Sequence, residues 1–198
     1  MAFIGMRYPV VALITAETAG AEPTYGTSGS GMVLGKAISG NLTINRNNNP
    51  LYADDTVAED DNGITSMDIE VGVDDLTDEV RAYVLGELTV AGSQTSDPTV
   101  YYNTDGSANY VGFGYIRVRR KSGVTSYQAV WMYKVLFSET SENSQTKGER
   151  IEWQTPTLTG RGMGVFITGK GTCFRKRATF ETETAAKAWL NTQANISA

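Results

Sequence analysis

Apolar and polar residues alternate along much of this chain in short runs separated by turn residues, the pattern of half-buried β-strands. Met67, Ile69, Val71 and Val73 alternate with Ser66, Asp68, Glu70 and Gly72, which predicts a strand over Ile64 to Val73 with the apolar set facing the core. Further strands are predicted at Val10 to Thr15, Val33 to Asn45, Tyr110 to Lys121, Val124 to Phe137 and Arg150 to Thr159, with two short ones near Val165 and Cys173. On Val33 to Asn45 the inward set is Leu34, Ile38, Leu42 and Ile44, leaving Ser39, Asn41, Thr43 and Asn45 polar. Lys121-Ser122-Gly123-Val124 forms the best hairpin, because Ser-Gly supplies positive φ at the turn. Its second strand is expected to hold Tyr127, Ala129, Trp131, Tyr133, Val135 and Phe137 on one face, with Gln128 and Lys134 on the other.

Two segments follow a helical period instead. Asp75 to Leu85 places Leu76, Val80, Tyr83 and Val84 on one stripe, with Asp74 or Asp75 as N-cap and Gly86 as the stop. Glu183 to Ala194 gathers Ala185, Ala188, Trp189 and Asn195 on related faces, with Trp189 expected to anchor it to the sheet. Two stretches of small and polar residues, 19–31 and 138–148, are expected to be mobile loops, either disordered or ordered against neighbouring subunits. The 198 residues, 24 Thr and 21 Gly among them, suit one β-rich domain with a sizeable core.

Charge adds a second pattern. Eleven of the 22 acidic residues fall between Asn47 and Val80, where there is no Lys or Arg, while fourteen of the seventeen basic residues lie from Arg81 onward. The alternation through Ile64 to Val73 argues against disorder, the usual meaning of an acidic block. Asp75, Asp78 and Glu79 instead suit the opening turns of a helix, where the dipole favours negative charge. Arg117, Arg119 and Lys121 share one strand face, with Arg120 beside them and Arg175, Lys176 and Arg177 further on. A net charge of −5 opposes a phosphate-binding role for that cluster. It fits better as the basic face of one copy meeting the acidic face of the next, head to tail.

Candidate chemistry is sparse. The chain has no histidine, which removes the commonest general base and metal ligand, and its single Cys173 is expected to be a small buried residue. Asp54-Asp55 and Asp60-Asp61 match neither a glycosidase pair nor a calcium loop, and suit a solvated surface. Gly112 to Gly114 is too short for a dinucleotide fingerprint and suits close packing in a strand. Gly160, Gly162 and Gly164 around Arg161 lack the ending of a phosphate loop and suggest a turn. No enzyme activity, cofactor or metal is implied. The apolar N-terminal run, broken by Arg7 and Pro9, lacks a signal-peptide cleavage pattern, and no run reaches the length of a membrane span.

Several ordered blocks carry a resemblance: LYADDTVAEDDN (Leu51 to Asn62), VGVDDLTDEVRAYVLG (Val71 to Gly86), YVGFGYIRVRRKSGV (Tyr110 to Val124), YQAVWMYKVLFSETSENSQTKGE (Tyr127 to Glu149), IEWQTPTLTG (Ile151 to Gly160) and the closing ATFETETAAKAWLN. Together they resemble the major tail protein, or tail-tube protein, of long non-contractile bacteriophage tails. The resemblance implies a mainly β, sandwich- or barrel-like subunit with one flanking helix and a short C-terminal helix. Six copies would form a ring, and rings would stack into a hollow tube around the tape-measure protein. The tube would be bounded by tail terminator and tail-tip proteins, assembled in the host cytoplasm, carried in the virion, and would pass DNA without binding it specifically. No membrane is involved.

In that setting Asn41, Thr43, Asp68 and Glu70 are expected to face the lumen. Tyr52, Asp54 and Asp55 lie on a loop of the kind that reaches the neighbouring ring in the resembling family, and are expected to meet Arg117, Arg119 or Lys121. Two alternatives stay open at this level: a type VI secretion-like tube subunit, and a solitary ligand-binding β-sandwich using Tyr101, Tyr102 and Tyr110 as an aromatic platform.

Overall fold

A computed structural model of the chain describes residues 2–53, 56–90, 99–101, 107–139, 146 and 155–197. In chain order it begins with β1 (Ala2–Ala16), β2 (Thr24–Tyr25), β3 (Met32–Val33), β4 (Ala37–Arg46), β5 (Asn49–Ala53), β6 (Thr56–Asp61) and β7 (Ile64–Val73), followed by helix α1 (Asp78–Leu85). Then come β8 (Leu88–Val90), β9 (Thr99–Tyr101), β10 (Tyr110–Lys121), β11 (Val124–Glu139), β12 (Thr157–Met163), β13 (Val165–Ile167), β14 (Gly171–Cys173), β15 (Arg175–Phe180) and helix α2 (Glu183–Ala194). The protein is mainly β, with a large antiparallel sheet and two helices, as the alternation predicts.

The large sheet runs β2-β1-β10-β11-β12-β7-β4, with β3 added to β1 and β15 to β11. Ser122 (φ 48) and Gly123 (φ 82) make the predicted tight turn between β10 and β11. The single-face register expected for β11 does not hold. Val111 opposes Val135 while Phe113 opposes Met132, so β11 carries one extra residue, a bulge that reverses side-chain parity. Ala129, Trp131 and Tyr133 therefore face one core, whereas Val135 and Phe137 join Val130 and Met132 in the other. The bulge also lets one edge of β11 serve two partners, β15 at Tyr127 to Met132 and β12 at Lys134 to Glu139.

The first core lies inside the curled sheet, where Val11, Ile69, Val71, Phe113, Met132, Phe137 and Leu158 meet, and Leu76, Val80 and Val84 of the α1 region pack against it. Curling brings the end strands β1 and β4 together without hydrogen-bonding them, so the barrel stays open along one seam. Gly40 permits that approach: a Cβ there would stand 2.0 Å from the Met6 sulfur.

The second core lies on the opposite side of the sheet, beneath α2. Ala186, Leu190 and Ala194 of the helix pack on Ile116, Ala129 and Trp131. Gly112 and Gly114 admit this packing, since a Cβ at Gly114 would lie 2.6 Å from Trp131 and 2.8 Å from Leu190. The buried stripe differs from the expected one. Ala185 and Ala188 are exposed, and Trp189 is half-buried beside Phe180 at a ring distance of 6.2 Å.

Residues 19–31, expected to be mobile, are pinned to this second core. Tyr25 stacks edge-on against Trp131 at 5.0 Å and donates its hydroxyl hydrogen to the Tyr133 carbonyl at 2.8 Å. Asn195, left-handed at φ 54, donates from its side-chain amide to the carbonyls of Tyr25 and Gly26. Glu22 accepts from Lys176 at 2.6 Å and from the Tyr133 hydroxyl at 3.2 Å. Its desolvation by burial raises its pKa, but these bonds and the charges of Lys176 and Lys170 outweigh that and hold the carboxyl below its ordinary value. Of the other expected loop, Ser138 and Glu139 belong to β11 and residues 140–145, 147 and 148 lie outside the described residues.

Other local differences have simple causes. Val33 to Asn45 is two strands, because Gly35 (φ 144) and Lys36 break the run. A register shift between Ala37 and Ser39 then leaves Ile38 exposed, while Leu34 is buried and Ile44 stays on the core side opposite Met67, 37% exposed. Helix α1 starts later than expected, with Thr77 accepting from the Val80 amide, while Asp74 accepts from the amides of Lys36 and Asp75. Cys173 is only half-buried. The run Gly160 to Met163 is strand, not turn, and predicted strand positions 150–154 lie outside the described residues.

Gly86 ends α1 as expected, at φ 72, with its amide donating to the Ala82 carbonyl. A Cβ there would lie 2.4 Å from the Ser107 carbonyl oxygen, a backbone atom with little room to yield. Gly86→Ala should therefore cost about 1–3 kcal/mol, left-handed strain plus the clash, read as a lower urea midpoint at unchanged slope.

Candidate functional site

Asn41, Thr43, Asp68 and Glu70, expected to face a lumen, lie on one face of the sheet. Asn41 of β4 opposes Glu70 of β7, which opposes Thr159 of β12, which opposes Ser138 of β11. In the next row Thr43 opposes Asp68, Arg161 and Leu136 follow, and Tyr110 of β10 completes it. Directly opposed residues share a face, so two polar rows cross the sheet and line one shallow concavity. Asp68 and Glu70 are exposed there, and Asn45 donates its amide to Asp68 at 2.6 Å and to Ser66 at 3.0 Å. Ser66 faces the same way but is buried beneath Asn45.

Arg161 is the residue that the sequence misplaced. Assigned to a glycine-rich turn, it lies in β12 directly opposite Asp68. Lys134 stands on the same face, bonded to Glu17 at 2.6 Å, with its ammonium 4.2 Å from the Tyr110 ring centre. The wall is thus mixed in charge. Its useful signal was parity, because Arg161 continues the alternation of Thr157 and Thr159.

The contact residues divide differently. Residues 51–62, expected to be an extended loop, are largely a hairpin in which β5 and β6, among the described residues, pair with each other alone, Tyr52 opposite Val57. Asp54 and Asp55 lie outside the described residues. Arg117 and Arg119 share the β10 face, and the Arg117 guanidinium lies 3.7 Å from the Phe3 ring centre. Arg119 donates to Thr179 at 3.5 Å, and Lys121 sits at the hairpin turn opposite Val124.

Strand β15 adds two cations to that face. Register rows place Arg177 beside Val130 and Tyr115, and Arg175 beside Met132 and Phe113. Lys176, of opposite parity, points to Glu22 instead. Burial lowers the pKa of Arg175; the nearby Arg177 and Arg117 charges push the same way and Tyr115 opposes. Burial likewise raises the Tyr115 hydroxyl pKa, against the lowering effect of Arg117 and Arg175. Arg117, Arg175 and Tyr115 line the seam between β1 and β4 together with Phe3, Ile4, Ile38 and Ile44.

Of the aromatic platform, Tyr101 and Tyr110 are exposed and Tyr102 lies outside the described residues. Among the described residues no group of three or more acidic or Cys side chains is placed to hold a metal ion. No helix is long and apolar enough to cross a membrane. The chain matches no protein-family model, and a search of curated proteins gave no significant match.

Proposed function

We propose that this chain is the tube-forming subunit of a long non-contractile phage tail. Six copies close into a ring, and rings stack into a hollow tube around a tape-measure protein. Terminator and tip proteins bound the tube, and DNA leaves through its lumen. The observation that carries this reading is the open seam. The outer edge of β4 and the Ala2 to Arg7 edge of β1 have no strand partner among the described residues, and Phe3, Ile4, Ile38 and Ile44 are exposed around them. Unpaired apolar edges invite another chain, and proteins that remain single blunt them with charge or proline. A ring of identical copies covers such edges by closure. Electron microscopy of the purified chain tests the reading: hollow tubes with six-fold rings are expected, and persistent monomers at high concentration would overturn it.

The polar rows give the lumen its surface. Asn41, Thr43, Asp68 and Glu70 offer hydrogen-bonding and anionic groups, and Arg161 keeps the field modest. Repulsion of phosphates then acts only over a screening length of about 8 Å, so a passing duplex is neither captured nor strongly excluded. Asp68→Lys with Glu70→Lys makes the charged positions of both rows cationic beside Arg161. Tubes should still form, and DNA ejection measured by dye release should slow; unchanged ejection would remove these residues from the lumen.

A further inference from the structure

The cleft between β1 and β4, about 590 Å³ in volume, falls within the roughly 300–1,000 Å³ range of small-molecule sites. Four of the nine exposed large apolar side chains among the described residues line it, namely Phe3, Ile4, Ile38 and Ile44. Scattered exposed apolar residues need no explanation, whereas a gathered set marks an interface or a ligand groove. Phe3, Ile4 and Ile38 form the rim, and half-buried Met6 and Leu42 lead inward to Ile69. The floor is cationic. Arg117 and Arg175 are half-buried there beside Tyr115, and among the described residues neither is ion-paired with a carboxylate. Stacking on the Phe3 ring holds Arg117 in place without neutralising it. Burial lowers the Arg175 pKa, and the charges of Arg177 and Arg117 lower it further against the opposing effect of Tyr115. An anion between the two guanidiniums would relieve that repulsion and accept their forked N–H donors.

Floor and wall together select the occupant. Its head must be a planar or tetrahedral anion with several acceptor sites, and the rest of it must be apolar, because the wall between rim and floor offers no partner for a second charge. An inorganic phosphate satisfies only the floor, and a nucleic-acid strand would lay further charges against the apolar wall. A carboxylate on a hydrocarbon tail meets both conditions. We propose that the β1–β4 cleft binds an amphiphilic carboxylate of the fatty-acid kind, its head held by Arg117, Arg175 and the Tyr115 hydroxyl and its tail lying along Met6, Leu42 and Ile69 towards Ile38. The site belongs to the single chain and does not rest on the self-assembly proposed above.

Decanoate below its micelle concentration is a suitable probe, titrated calorimetrically into the unaltered chain at a dilution where it sediments as a monomer. Saturable binding at one site per chain is expected. Decyltrimethylammonium, with the same tail and the opposite charge, should bind about tenfold or more weakly, the loss expected when charge-assisted hydrogen bonds are withheld. Acetate, the head alone, should give no measurable binding. Arg117→Gln should weaken decanoate by about tenfold with little change in Tm, and Arg117→Lys, which keeps the charge without the fork, should fall between the two. A photoreactive alkyl carboxylate should label Met6 or Leu42, read by peptide mass spectrometry. The site is overturned by absence of saturable decanoate binding, by equal binding of the ammonium probe, by full affinity in Arg117→Gln, or by labelling confined to other segments. Tight binding of inorganic phosphate without decanoate would also overturn it, leaving the floor as a simple anion site. Tube formation at higher concentration is scored separately: its failure overturns the assembly reading and leaves the binding result standing.

Discussion

Trp131→Ala should lower stability by about 3–5 kcal/mol, the range for removing a fully buried large aromatic. For a chain of this length that corresponds to a fall in Tm of roughly 6–20 °C. The effect is large because Trp131 joins three elements at once. Its indole N–H donates to the Tyr25 hydroxyl at 3.1 Å, its ring meets Tyr25 edge-on, and Gly112 and Gly114 exist in β10 as space for it beneath Leu190. Removing it therefore undercuts both α2 and the 19–31 segment. Trp131→Phe restores part of the volume without the donor, and should cost less than half as much. Limited proteolysis should then show cleavage within residues 19–31 before the sheet unfolds. A loss below about 1 kcal/mol for the alanine variant would mean that the second core repacks, and that the segment is held by Asn195 and Glu22 instead.

The parts of this fold legible in the sequence were those governed by a local period. Strand β7, the hairpin at Ser122-Gly123, the Gly86 stop and the extent of α2 each follow from a pattern within about ten residues. The polar wall was legible for the same reason, since Asn41, Thr43, Asp68 and Glu70 are fixed by parity on two strands. What escaped depends on one residue more or less, or on distant partners. The bulge near Tyr133 turns Val135 and Phe137 to the other core, and its cause lies in the need of β11 to pair with both β12 and β15. Arg161 was hidden because glycine marks turns, whereas Gly160 and Gly162 are strand residues crowded by Phe137 and Met132. The union of Arg117 with Arg175 depends on the pairing of β15 with β11, which no local pattern specifies.

Ile38→Asp should leave the single chain as stable as before yet abolish assembly. Ile38 is 57% exposed on the rim of the cleft, so the folded chain loses little burial, and the change in its own unfolding should stay within about 0.5 kcal/mol. If a second copy covers the rim, however, the new carboxylate must lose its water without a dedicated partner. Burial of an unpaired charge costs several kcal/mol. Each 1.4 kcal/mol is a tenfold change in an association constant, so the concentration needed for tubes should rise by about a hundredfold or more. Ile38→Ala, which removes area without adding charge, should shift it far less. Sedimentation velocity beside thermal melting measures both quantities, and tubes forming at the usual concentration would show that the seam is not the interface.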